Sequence, residues 1–252
     1  MTWDSLLTEL DRLAQSLQRK PATEKTAEHI WMHKGKFAYE WQKSRIISVN
    51  TGVPLPPPRK QALHPRNCSV GETSLKFVFE PPDCETAPFP KRADFQVRVT
   101  GTLELASAGL IELEDHWRVD THLFALPELL GESEPPKEPH PLFHFQRGGH
   151  AQDRFADHPG FVPGPLLDEN ISDSWRGLMQ TPGPRIPVLP MCPILAIDFA
   201  IAHCDGVAWR SLRTESECLV LIKNAQERLW TPIFDAFSDR EVRKKWMGKI
   251  LI

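Results

Sequence analysis

The most constraining feature of this sequence is a strict alternation of apolar and polar residues across positions 94–124. Two alternating arms are separated by the short segment Ala-Ser-Ala-Gly at 106–109. A period of two places the apolar residues on one face of a β-strand and the polar residues on the other. The apolar residues are odd-numbered in both arms, so only a loop with an odd number of residues brings the two apolar faces together. The pattern therefore predicts a β-hairpin with one buried and one polar face.

The same alternation recurs on both sides of this hairpin, while the chain ends carry helical patterns. Apolar residues at helical spacing predict helices at 3–19 and 24–48, and again at 194–204 and 215–230. We therefore expect an α+β fold, with helices from both chain ends packed on one face of an antiparallel sheet of about four strands. The predicted strands are 74–80, 94–105, 110–124 and 141–147.

A length of 252 residues fits one domain with a sizeable core. Prolines make up 24 of the 252 residues, a share well above the usual value of about 5%. They cluster between the predicted elements and indicate proline-rich loops. We expect a single α+β domain over 1–252. Its parts are an N-terminal helical segment (1–48), a Pro-rich connection (50–66), the sheet (67–150), an irregular wrap (151–190) and C-terminal helices (191–252).

Charge and cysteine content narrow the function classes. The net charge of -3 argues against nucleic acid as a partner. A basic C-terminal helix, predicted from the capping box Ser238-x-x-Glu241 and carrying Lys and Arg residues around Trp246, is where such binding would occur. The five cysteines form no C-x-x-C pair, which favours reduced thiols and a cytoplasmic location. We expect neither a signal peptide nor a membrane span.

The polar face of the predicted sheet is the first candidate binding surface. Arg98, Arg118 and Gln146 fall on this face and could donate hydrogen bonds to a protein partner. A polar strand face is also commonly just solvated or covered, so this interpretation leaves the partner open.

Histidines concentrate on the same face, which raises a metal-dependent alternative. Six of the ten His lie between 116 and 158. Imidazole and carboxylate are ligands for a divalent metal such as zinc or manganese. We take His116, Asp120 and His122 as candidate metal ligands, and Asp120 with His144 as candidate catalytic residues. No other cofactor is predicted.

Asp198 lies inside the most apolar predicted helix. A buried carboxylate needs a partner or takes a raised pKa. It is therefore either a third candidate catalytic residue or the partner of an arginine such as Arg185.

No complete catalytic motif accompanies these candidates in the sequence. We therefore expect a non-catalytic binding or assembly protein of an intracellular multi-protein system. The alternative is a metal-dependent hydrolase, such as a nuclease, that uses the His/Asp cluster on the polar face. Whether the chain is an enzyme stays open at this point.

Overall fold

The computed structural model of the chain describes residues 2–58, 69–82, 89–105, 109–121, 143–147 and 191–239. Within them, five antiparallel strands form one sheet in which each strand pairs with its neighbours in sequence. All four predicted strands are present, and the predicted α+β class is confirmed. The strands are β1 (Ile47–Pro54), β2 (Ser69–Glu80), β3 (Arg92–Leu105), β4 (Gly109–Thr121) and β5 (Phe143–Arg147).

The register of the central hairpin follows the parity of its apolar residues. Val97 lies opposite Trp117, and Leu105 lies opposite Gly109 as the last pair before the loop. This pairing leaves three residues between the strands, as the odd-loop argument requires. Every buried apolar side chain among the described sheet residues is odd-numbered. The core therefore lies on the odd face of the sheet.

Helices from both ends of the chain cover that face. Trp3 contacts Phe79 with ring centroids 5.2 Å apart, and Phe199 meets Trp117 edge-on at 5.3 Å. None of the described helices is long and apolar enough to cross a lipid bilayer. The helices are α1 (Leu6–Gln18), α2 (Glu24–Met32), α3 (Lys34–Ser44), α4 (Pro193–Cys204), α5 (Gly206–Leu212) and α6 (Ser216–Ser238).

The predicted helix at 24–48 is wrong in its extent. It divides at His33, between α2 and α3, and the chain is already a strand from Ile47. The predicted Pro-rich connection at 50–66 therefore begins only after Pro54. Gly52, at φ 90°, lies in a β-bulge where the register shifts between Val49 and Val53. The bulge interrupts the alternation of apolar and polar residues in β1, and for this reason the sequence pattern did not predict the strand.

The C-terminal helices also differ from the predicted ones. The helix predicted over 215–230 continues through Pro232 to Ser238. Leu229 and Ile233 are buried on either side of the proline, so packing outweighs the hydrogen bond that Pro232 cannot donate. The short α5 was not predicted. Asp205 caps it by accepting from the backbone N–H groups of Val207 and Ala208.

Three predicted segments lie outside the described residues: the Pro-rich connection beyond residue 58, the irregular wrap at 151–190, and the basic segment after residue 239.

Candidate functional site: the polar face of the sheet

The even-numbered side chains of the strands form the face opposite the core, here called the polar sheet face. Strand register arranges them in rows that run across the strands. The central row joins four strands: Lys76 pairs with Gln96, Gln96 with Arg118, and Arg118 with Gln146. Among the side chains that the structure describes, the row thus combines an ammonium, a carboxamide and a guanidinium, all of which donate hydrogen bonds.

Two central-row side chains have unused hydrogen-bonding groups. Among the described residues, neither the ammonium of Lys76 nor the carboxamide of Gln96 makes a hydrogen bond or ion pair. Both residues are half-buried. Within the described part of the chain, their polar groups therefore have no hydrogen-bonding partner.

An open groove of about 650 Å³ lies over this part of the sheet. Strand β1 borders it on one side, through Asn50, and β4 borders it on the other, through Arg118. Its lining also includes Phe77 and Phe95, whose side chains belong to the core on the opposite face of the sheet. The groove therefore lies over the part of the sheet that the core packs against, and the central row lines it.

Arg118 is positioned by a buried carboxylate two residues away on the same strand. Its Nη2 donates to Oδ2 of Asp120, whose side chain is only 1% exposed. The Arg118 side chain is 45% exposed, so its other N–H groups point away from this pair. A guanidinium has five N–H donors. The ion pair with Asp120 holds the Arg118 guanidinium in place, and most of its donors remain available to another molecule.

The acidic groups at the margin of the groove are already neutralised. Asp94 accepts from Nε of Arg92 at 2.6 Å, and Glu80 lies 3.6 Å from the ammonium of Lys91. Lys76 is therefore the cation in the groove that has no carboxylate partner among the described residues.

The predicted binding residues are only partly brought together. Arg118 and Gln146 are direct cross-strand partners. Arg98 lies in the adjacent row, opposite His116, and its Nη2 donates to Glu114 at 2.6 Å. Its guanidinium is thus already committed to an ion pair on its own face.

The predicted metal and catalytic residues spread along β4 and β5. Asp120 and His144 are cross-strand partners, which brings their backbones together. His116 is buried four residues from Asp120, a separation of about 13 Å along a strand. The cationic Arg118 lies between them. His122 lies outside the described residues. Within the described part of the chain, no cluster of three or more His, Cys, Asp or Glu is arranged to hold a metal.

Asp198 lies in the helical layer, away from these rows, and forms an ion pair with Arg213, while Arg185 lies outside the described residues. Nη2 of Arg213 donates to Oδ2 at 2.5 Å, and Nε1 of Trp209 donates to Oδ1 at 3.0 Å. Burial raises the pKa of Asp198, and these two donors oppose the rise. The position thus belongs to an internal ion pair that ties α4 to the end of α5.

Lys76 and Gln96 were missed as candidate site residues. The hairpin pattern could have found Gln96 as a residue of the polar face, but its position opposite Arg118 also requires the loop to be 106–108, which parity alone does not decide. Lys76 follows from β2 in the same way only once the β2–β3 register is known, and the long connection between those strands hides that register.

No family model, curated protein or solved structure matches this chain. The function therefore has to be inferred from its own side chains.

Proposed function

We propose that this chain is a non-catalytic binding protein that holds a protein partner on the polar sheet face, over the central row. The observation that carries the proposal is the open groove above Lys76, Gln96 and Arg118, whose donors have few or no partners among the residues that the structure describes. Polar groups without partners bind an incoming surface without first breaking internal hydrogen bonds.

The shape of the groove favours a protein over a small molecule. Small-molecule sites are typically concave, mostly apolar and able to enclose the ligand. This groove is open, and charged or amide side chains such as Lys76, Gln96 and Arg118 make up much of its lining. An interface rim has the same polar and solvent-accessible character.

A photo-crosslinking amino acid at Gln96 tests the proposal. The same amino acid at Lys25, exposed on α2, is the matched control. In extract of the cells that encode the chain, we expect a discrete crosslinked protein from position 96 and none from position 25. Equal crosslinking from both positions, or none from either, would contradict the proposal.

A cytoplasmic location is part of the same proposal. Cys192, Cys204 and Cys218 are free and buried. Burial raises the pKa of Cys204 to about 12 and that of Cys218 to about 11, so both thiols stay protonated and unreactive. Cell fractionation should recover the protein with cytoplasmic markers, and recovery outside the cell would contradict this.

The second candidate function is metal-dependent hydrolysis, and one observation favours it. Asp120 and His144 are cross-strand partners, so two potential ligands start from adjacent backbone positions. The ion pair of Asp120 with Arg118 counts against it, because a cation already occupies that carboxylate. Elemental analysis of protein purified without chelator decides the matter. Stoichiometric metal that is lost in His144→Ala would support the hydrolase, and metal-free wild-type protein would exclude it.

A further inference from the structure

We propose that the partner contacts the central row through an extended acidic segment, with two carboxylates spaced three residues apart. This inference rests on the proposed binding function and specifies the chemistry of the partner. One carboxylate binds Lys76 and the other binds Arg118, while Gln96 contacts the backbone of the segment between them.

Charge complementarity identifies the segment as acidic. Lys76 has no carboxylate partner among the described residues, whereas Asp94 and Glu80 already have cations of their own. Arg118 adds donors that Asp120 does not use. The groove is thus locally cationic in a chain whose net charge is -3. Carboxylates are the protein groups that best match an ammonium and a guanidinium.

The width of the sheet sets the spacing between the two carboxylates. Lys76 and Arg118 are separated by one intervening strand, hence by two strand spacings of about 4.8 Å, or about 9.6 Å. In a polyproline II segment, side chains three residues apart lie on the same side at about 9.3 Å. In a β-strand, same-side residues recur at about 6.7 Å. The polyproline II spacing fits the row better.

Gln96 is suited to contact the middle of such a segment. It lies between the two cationic residues, and its carboxamide both donates and accepts. A polyproline II backbone makes no internal hydrogen bonds, so its carbonyl groups are available to that carboxamide.

Peptide probes test the inference on the full chain by fluorescence anisotropy. The first probe contains Gly-Glu-Pro-Pro-Glu-Gly, the second replaces both Glu with Gln, and the third shortens the spacing to Glu-Pro-Glu. We expect the first to bind most tightly and its affinity to fall as salt rises. Equal affinity of the Gln probe would overturn the acidic chemistry, and equal affinity of the shortened probe would overturn the spacing.

Protein variants locate the contact. Lys76→Glu should weaken binding of the first probe at least about tenfold, because a charge-assisted hydrogen bond becomes a repulsion. Lys25→Glu makes the same charge change on α2 and should leave the affinity within about twofold, since that position is remote from the row. Circular dichroism confirms folding, and Lys76→Gln, which removes the charge conservatively, should give an intermediate affinity. Unchanged binding by folded Lys76→Glu would overturn the proposal.

Failure of this inference is distinguishable from failure of the proposed function. If the crosslinker at Gln96 captures a partner and no acidic probe binds, the acidic-segment inference is wrong and the binding function stands. If the crosslinker captures nothing and the probes do not bind, both are wrong.

Discussion

Glu9 of α1 and Arg228 of α6 form a bidentate ion pair that is almost completely buried. Nη1 of Arg228 lies 3.0 Å from Oε1 of Glu9, and Nη2 lies 2.7 Å from Oε2. The Glu9 side chain is 8% exposed and the Arg228 side chain is 1% exposed. Arg228 also donates to Oγ of Ser5 at 3.1 Å and lies 4.6 Å from the ring centre of Trp3. This ion pair connects α1, the first α-helix, to α6, the last described one, within the helical layer that packs on the sheet.

Removing the charge of Glu9 should therefore destabilise the fold strongly. Glu9→Gln leaves the Arg228 guanidinium buried without a counter-charge, and the expected loss in the free energy of unfolding is about 3–5 kcal/mol. Glu217→Gln is the matched control. It breaks more exposed pairs with Arg12 and Arg19 between the same two ends and should cost at most about 1 kcal/mol. Urea denaturation measures both, and equal losses would contradict the burial argument.

The fold should lose stability in mild acid through His29. Burial lowers the pKa of His29, and the neighbouring His33, stacked at 4.3 Å, lowers it further. The unfolded chain therefore binds a proton on His29 at a higher pH than the folded chain does. Stability should be full above the unfolded pKa of about 6.5 and fall as the pH drops below it.

His29→Phe isolates that contribution because it keeps an aromatic ring beside His33 and removes the titrating group. Urea denaturation at pH 5 and pH 7.5 should show a smaller loss of stability for this variant than for the wild type. Every other histidine is present in both proteins, so a difference in pH dependence between them arises from the removal of His29. Parallel pH dependence in the two proteins would exclude His29 as the source.

Loss of Arg213 should be costly at neutral pH and less so in acid. Arg213→Leu leaves the half-buried carboxylate of Asp198 with only Trp209 as a donor, at an expected cost of about 1–3 kcal/mol. The pKa of Asp198 is already raised and should rise further, so the variant should regain stability as the pH falls and the carboxyl is protonated. Trp209→Phe, which removes only the indole donor, is the control. A deficit that stays constant from pH 7 to pH 4.5 would contradict this account.

The outer edge of β1 should resist pairing with other chains because α3 covers it. The backbone N–H of Ser48 donates to Oε2 of Glu40 at 3.0 Å, and Nζ of Lys36 donates to the backbone carbonyl of Ser48 at 2.9 Å. These contacts satisfy the groups that an open edge strand would offer to a neighbour. Lys36→Ala/Glu40→Ala should self-associate at concentrations where the wild type and Lys25→Ala/Glu28→Ala do not. Light scattering measures this, and identical behaviour of all three proteins would show that the edge needs no such cover.

The sequence was sufficient to predict the strands in which the alternation of apolar and polar residues is unbroken. The hairpin of β3 and β4 follows from parity alone, and the odd-numbered core face follows from its register. Strand β1 could not be predicted, because the bulge at Gly52 interrupts the alternation of apolar and polar residues between Val49 and Val53 and Pro54 resembles the start of a loop. The break at His33 was missed because the residues on both sides have helix-forming patterns.

The sequence could predict which residues share the polar sheet face, but it could not predict the contacts that their side chains make. Parity placed Arg98 and Arg118 on one surface, yet which carboxylate each of them pairs with depends on rotamers and diagonal neighbours. Asp198 illustrates the same limit. Its need for a partner follows from the apolar helix, whereas the choice of Arg213 depends on how α5 turns back against α4.

Protection of Lys76 from acetylation tests the central claim most directly. The chain, alone and after capture of its crosslinked partner, is treated briefly with an amine-reactive acetylating reagent, and modification is quantified by mass spectrometry. We expect Lys76 to be acetylated in the free chain and protected in the complex, while Lys25 is modified equally in both. Equal acetylation of Lys76 with and without the partner would place the interface elsewhere and contradict the proposed function of the polar sheet face.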